Sequence, residues 1–285
     1  MTPLFSDPAY FTLTCAALGM IVGSFINVVV LRLPQMMTQS WHRECCEIMD
    51  QPAPAETPIS LAYPGSHCPS CHAPIRPWHN IPVLSWLLLR GRCADCATRI
   101  SWRYPFIELT TGMLSALAGW HFGFGVEAVS GLIMIWTLIA LTGIDLDTQL
   151  LPDSLTLPLL WIGLGINIFD IWAPLAAAVT GAMMGYGCLW CVYWLFKLIT
   201  GKEGMGYGDF KLLAALGAWF GWQAVPLILL LSSLVGATLG IIILVLKRKG
   251  RDTPLPFGPY LAGSGMLVLF YGDALIAEYL QVVAP

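Results

Sequence analysis

Gly204-Met-Gly-Tyr-Gly-Asp-Phe-Lys211 lies between two long apolar segments. Alternating glycines lead into Asp209, and an apolar run resumes at once. A second acidic cluster, Asp145-Leu-Asp-Thr-Gln-Leu-Leu-Pro-Asp153, also stands where an apolar segment ends. The surroundings give these acids their meaning. The 285-residue chain is 57% hydrophobic and 11% charged, and that charged share is under half of the roughly 25% usual in soluble domains. A carboxylate touching membrane is costly and usually functional. The rest of the chain reads as a frame that brings the two acidic segments together.

Apolar runs long enough to cross a bilayer as helices, about 20 residues each, recur along the chain. Eight candidate spans fall at 10–31, 104–121, 127–144, 155–171, 174–196, 210–221, 224–246 and 258–280. The sixth is short and contains glycine, and Pro226 marks a boundary or kink near the start of the seventh. Tyr10, Tyr104, Trp120, Trp172, Trp222 and Tyr279 sit near span ends, where aromatic anchors are expected. The first run has no preceding basic residue and no small-residue cleavage site after it, so it reads as a retained span and not a signal peptide. The expected fold is an all-α polytopic membrane protein of about eight transmembrane helices with a small cytoplasmic zinc-binding loop domain.

Charge placement orients the spans. Seven of the 14 Lys and Arg residues lie between Arg32 and Arg103; the others are Lys197, Lys202, Lys211, Lys247, Arg248, Lys249 and Arg251. With eight spans all of them map to one face, which the positive-inside rule makes cytoplasmic, with both termini periplasmic. Three segments follow: 1–32 as the first span, 33–103 as a cytoplasmic loop, and 104–285 as a core of about seven helices. The first half of the loop, with Gln51-Pro-Ala-Pro-Ala-Glu-Thr-Pro58, reads as an irregular connector. Pro254-Leu-Pro-Phe-Gly-Pro259 reads as a turn before the last span.

The second half of the loop holds Cys68-Pro-Ser-Cys71 and Cys93-Ala-Asp-Cys96, two C-x-x-C knuckles with 21 residues between them. Four thiolates so spaced can close a tetrahedral structural zinc site. A cytoplasmic setting disfavours the alternative of two disulfides. His67 and His72 flank the first knuckle as ordinary loop histidines. Cys188 and Cys191 repeat the spacing inside an apolar span, where helix packing is the simpler reading.

Asp145 ends the third span and Asp209 begins the sixth, so both fall at the cytoplasmic edge although 64 residues apart. Two adjacent carboxylates cannot both ionise easily, and a pair sharing a proton can activate water and protonate a leaving amine. Helix capping by Asp209 and Asp153, solvation of Asp145 and Asp147, or cation binding by the pair remain open on the residues alone. The glycines before Asp209 suit close backbone approach and positive φ.

Four stretches together resemble the bacterial type IV prepilin leader peptidases, bifunctional enzymes of the GxGD aspartic-protease group. They are Gly23-Ser-Phe-Ile-Asn-Val-Val-Val-Leu-Arg-Leu-Pro34, the paired cysteine knuckles, Asp145 to Asp153, and Gly206-Tyr-Gly-Asp209 followed by Lys211. The resemblance implies that Asp145 and Asp209 are the catalytic pair, that Cys68, Cys71, Cys93 and Cys96 bind zinc, and that 104–285 is a transmembrane aspartic peptidase core. It implies cleavage, after a glycine, of the leader of type IV prepilins and type II secretion pseudopilins in the bacterial inner membrane. N-methylation of the new N-terminal residue, usually Phe, from S-adenosylmethionine would follow. Nucleic acid is not an expected partner. No G-x-G-x-x-G fingerprint marks a methyl-donor site, and Gly23, Asn27 and Arg32 read more simply as packing and topology residues. A cation transporter built on the acidic pair and a membrane-anchored zinc adaptor are the competing classes.

Overall fold

A computed structural model describes residues 7–52, 57–247 and 256–283. Arg248, Lys249, Arg251, the start of the Pro254–Pro259 turn and part of the Gln51–Pro58 connector lie outside the described residues, as does the side chain of Tyr279. Among the described residues the chain is helical without a strand, and it divides into two units, 1–124 and 125–285.

The first unit is built on α1 (Pro8–Ile48) and α3 (Arg103–Phe122), with α2 (Leu84–Leu88) in the segment between them. Asp7 caps α1 by accepting the Ala9 amide at 2.9 Å, and Pro8 occupies the first helical turn, where its missing donor is harmless. The helix continues through Pro34 to Ile48. The expected end of the first segment at residue 32 is therefore overrun by four turns, because the polar stretch after Arg32 keeps helical hydrogen bonding although its apolar pattern stops. Glycine and hydroxyl residues let α1 and α3 approach closely, the usual device where no hydrophobic gain separates helix from lipid. A Cβ at Gly23 would lie 2.8 Å from Glu108 Cα, and one at Gly119 2.9 Å from Cys15 Sγ. Thr111 and Ser115 return their hydroxyl protons to carbonyls one turn back, both at 2.7 Å. This packing groups α3 with α1, so the segment expected to open the core at residue 104 belongs with the N-terminal unit.

The second unit holds α4 (Val126–Thr148), α5 (Asp153–Ile166), α6 (Leu175–Thr200), α7 (Tyr207–Phe220), α8 (Ala224–Lys247) and α9 (Gly258–Val283). Each of the eight apolar segments holds a helix, α2 being an extra short turn, but among the described residues five helices are long and apolar enough to cross a membrane: α1, α4, α6, α8 and α9. Helix α7 is central, with every residue from Asp209 to Phe220 buried except Lys211. At 14 residues it is about 21 Å long, well short of a hydrocarbon core of about 30 Å. Helix α5 has the same length and gives way at Asn167 to a single 3₁₀ turn.

A short buried helix must find partners for its terminal carbonyls inside the protein. Asn167, fully buried, supplies them: its Nδ2 donates to the carbonyls of Ala218 and Trp219, both at 2.9 Å. Its Oδ1 accepts from the amides of Trp172 at 3.0 Å and Ala173 at 3.1 Å. Trp219 Nε1 donates to the Leu159 carbonyl at 2.8 Å. Trp172, expected as an interface anchor, instead packs against Trp219 and Phe220 and donates to Ser130 Oγ at 3.0 Å. Tyr10, Trp120 and Trp222 do present exposed faces.

Asn167→Ala strands two carbonyls and two amides at a buried site, each worth about 1–3 kcal/mol when unsatisfied. We expect a loss of at least about 2 kcal/mol, read as a lowered unfolding midpoint in detergent. Wild-type stability would show that these groups find other partners.

Candidate active site and metal centre

In the first unit the two cysteine knuckles fold alike. Each opens with an isolated antiparallel bridge, His67 to Pro74 and Arg92 to Arg99. Each then closes with two backbone bonds: Cys68 N to Ala73 O at 3.0 Å and His72 N to Cys68 O at 2.9 Å, matched by Cys93 N to Thr98 O at 2.8 Å and Ala97 N to Cys93 O at 3.1 Å. In both, the residue after the second cysteine is left-handed, His72 at φ 57° and Ala97 at φ 56°. Residues 66–75 and 91–100 are thus one device used twice, 25 residues apart.

The four sulfurs lie within 4.8 Å of one another, with Cys68 to Cys96 at 3.7 Å and Cys71 to Cys93 at 4.0 Å. A regular tetrahedron with zinc–sulfur bonds of about 2.3 Å has sulfur–sulfur edges of about 3.8 Å, so the cluster could hold zinc with small side-chain adjustments. Hydrogen bonds from the Thr98 hydroxyl and the Thr98 backbone bring the Cys96 thiol down to about 6. Cys71, although the Ala73 amide favours its thiolate, is pushed up to about 12 by desolvation and its sulfur neighbours. Crowded thiols share charge unevenly, and a dication would accept all four as thiolates. The flanking histidines stand outside the cluster: His67 pairs Nδ1 with the Gly65 carbonyl at 3.0 Å.

Glu108 is a buried carboxylate that composition alone did not single out. It is 8% exposed, accepts the Val83 amide at 2.7 Å and is hydrogen-bonded by Ser24. It fixes the start of α2, where Val83 takes φ 60°, a conformation β-branched residues rarely adopt. Asn27 donates to the carbonyls of Gly23 at 3.3 Å and Tyr104 at 3.2 Å, and Arg32 reaches the carbonyls of Ser60 and Leu61 at 3.1 and 3.3 Å. Gly23 and Asn27 are helix-packing residues, and Arg32 secures the chain at 60–61.

In the second unit Asp145 and Asp209 are both buried, 4% and 7% exposed, on α4 and α7. Helix α4 reaches Thr148, three residues beyond Asp145, and its C-cap Gln149 is left-handed at φ 56° with its amide on the Asp145 carbonyl at 2.9 Å. Gly206 is the N-cap of α7, which makes Asp209 its third residue and not its cap. The Asp209 carboxylate reaches back to the Gly206 amide, as the acid of a capping box does. Burial separates it from an ordinary capping acid.

The two aspartates are drawn together around Leu151. A Cβ on Gly208, next to Asp209, would lie 2.7 Å from Leu151 Cβ; one on Gly258 would lie 3.1 Å from Leu151 Cδ2 and 2.6 Å from Asp145 Oδ2. Gly258 opens α9 and donates its amide to Asp145 Oδ2 at 2.9 Å. Asp145 lies near enough to Asp209 for its charge to be felt there. Of the Gly204–Gly208 stretch, the structure uses close approach and not positive φ: Gly204 lies against the Phe196 ring, Gly208 against Leu151, and none of the three glycines is left-handed. Asp147 is exposed, and Asp153 is an ion-pair partner of Lys211 in the first turn of α5, whose N-cap is Pro152. Gly258 lies within the Pro–Phe–Gly–Pro turn, and its mark in the sequence is a glycine at the mouth of an apolar helix.

Two buried carboxylates on separate helices of an apolar helical protein are an arrangement suited to acid–base chemistry inside a membrane protein. Comparison with known proteins gives the family. Residues 17–122 match the bacterial peptidase A24 N-terminal domain and residues 132–241 match the type IV leader peptidase family. A Stutzerimonas stutzeri protein named prepilin leader peptidase/N-methyltransferase is 54% identical over 285 residues, 99% of each chain. Proteins of the same name from Pseudomonas putida and Pseudomonas aeruginosa are 51% identical over 282 residues (99% of this chain, 98% of theirs) and 53% over 279 (98% and 96%). No solved structure matches significantly. The chain belongs to the type IV leader peptidase family.

The sulfur spacing leads to a direct check. Protein purified without chelators should carry one zinc ion per chain by elemental mass spectrometry, and Cys93→Ala should lose most of it. Full metal content in that variant would disprove the four-sulfur site.

Proposed function

We propose that this chain is a bifunctional prepilin leader peptidase and N-methyltransferase of the bacterial inner membrane, with Asp145 and Asp209 as its peptidase pair. The observation that carries the reading is two buried carboxylates, each beside a glycine packed on Leu151 (Gly258 for Asp145, Gly208 for Asp209) and each held by a backbone amide, Gly258 on one and Gly206 on the other. Names carried by relatives more than half identical to it across nearly the whole chain support the same activities.

The cleavage chemistry follows from the pair. With one proton between them, the ionised carboxylate takes a proton from water as its oxygen attacks the scissile carbonyl carbon. The protonated partner gives its proton to the carbonyl oxygen, and collapse expels the amine, which is protonated as the peptide bond breaks. Each backbone amide holds one carboxylate in orientation, so little rearrangement is needed during reaction. The surrounding apolar helices exclude other water.

The substrates are type IV prepilins and type II secretion pseudopilins. Their basic leader stays cytoplasmic by the charge rule that places loops 32–103, 145–154, 197–209 and 247–257 there. With that orientation the termini are periplasmic, and the cut, after a glycine, falls at the cytoplasmic face beside the aspartates. S-adenosylmethionine, when bound, would supply the methyl group that the free amine receives. Zinc at Cys68, Cys71, Cys93 and Cys96 is structural, holding a loop too small for a core of its own.

Incubation with a prepilin and S-adenosylmethionine, read by mass spectrometry, should give a trimmed, methylated product with wild type. Asp209→Asn and Asp145→Asn should leave the prepilin intact, a loss of about 10³-fold or more, the scale seen when an essential acid–base group is removed. Equal trimming by either variant would refute the dyad. Gly258→Ala, which drives a methyl group into Asp145 Oδ2, should lower cleavage at least about tenfold, as a sub-ångström displacement of a reacting group does; unchanged turnover would show that Gly258 only packs.

A further inference from the structure

Lys211 Nζ meets both carboxylate oxygens of Asp153, at 2.6 and 2.7 Å. The pair is not buried: the side chains are 28% and 55% exposed. Ion pairs so exposed contribute little to folding stability. Helices α5 and α7 have no need of it for that purpose, since their far ends are already tied by Trp219 to Leu159 and by Asn167 to Ala218 and Trp219.

Its position is more informative than its strength. Asp153 comes eight residues after Asp145, and Lys211 two residues after Asp209. Between Asp145 and Asp153 the chain leaves α4 through left-handed Gln149, passes Leu151, and enters α5 at Pro152. Leu151 is the residue against which both Gly208 and Gly258 pack. The segment carrying the first aspartate and the helix carrying the second are therefore joined twice, by apolar contact at Leu151 and by the ion pair one turn further on. We propose that Asp153 and Lys211 are positioning residues that form a clamp setting the spacing of the aspartate pair. This rests on the dyad assigned above.

The clamp acts on the chemical step and not on substrate binding. Asp153→Asn and Lys211→Met should each lower kcat for prepilin cleavage about tenfold or more, with KM within about twofold and the unfolding midpoint in detergent nearly unchanged. Because the two residues act as one unit, the double variant should lose no more than the worse single variant. Exchange of the pair, Asp153→Lys with Lys211→Asp, should recover most of the loss. Wild-type kcat in both single variants, or losses that multiply in the double, would overturn the clamp while wild-type cleavage and its loss in Asp209→Asn leave the dyad standing. Failure of the wild-type enzyme to cleave would instead remove the dyad reading itself.

Discussion

The hydrogen bond from the Gly258 amide to Asp145 joins helix ends 113 residues apart in sequence, and much of the second unit is arranged so that it can exist. A carboxylate inside an apolar protein must be partnered or stay uncharged. Asp145 is partnered by backbone, which leaves it oriented without a neutralising counter-charge. Only glycine lets the backbone come so close, since a Cβ at 258 would meet the carboxylate oxygen at 2.6 Å. Asp209 is treated in the same way by Gly206. Neighbouring Lys211 is turned aside to Asp153 instead of neutralising either buried acid.

Placing Asp209 in the interior has structural consequences. Helix α7 must begin at the site and run through the middle of the unit, which makes it short and buried on nearly every side. Its carbonyl end then needs donors that lipid cannot give, and the Asn167 amide supplies them. Small residues at its contacts, such as Gly185 against Leu213 and Ala214, allow α6 to lie close along it. Buried acid, short helix and buried amide are thus successive demands of one constraint, the cost of a polar group away from water.

The first unit solves a different problem by different means. Its loop has few apolar residues to bury, and it is shaped by two copies of one hydrogen-bonded knuckle that bring four sulfurs to tetrahedral spacing. Glu108, Asn27 and Arg32 secure surrounding backbone with side-chain hydrogen bonds. Polar residues of the helices therefore serve the loop, and the division of the chain falls after α3 and not before it.

Much of this was legible in the sequence. Apolar run lengths determined the helices, because a bilayer-length run has few other structures open to it. The C-x-x-C spacing determined the four-sulfur cluster, because two residues between thiols place them on one tight turn. Asp145 and Asp209 stood out because acids are rare and costly in such a chain. Local pattern could not show which distant groups answer them. Gly258 as the partner of Asp145, Asn167 as the end of α7, and Asp153 as the mate of Lys211 follow from how helices pack, and a single residue in a turn or an apolar run carries no mark of its partner across the fold. The extension of α1 to Ile48 was hidden for the reverse reason, since helical hydrogen bonds persist where the apolar pattern fades. Sequence determined which groups must be paired; only the tertiary structure decided with whom, because the energy of a buried polar group depends on geometry that distance along the chain does not encode.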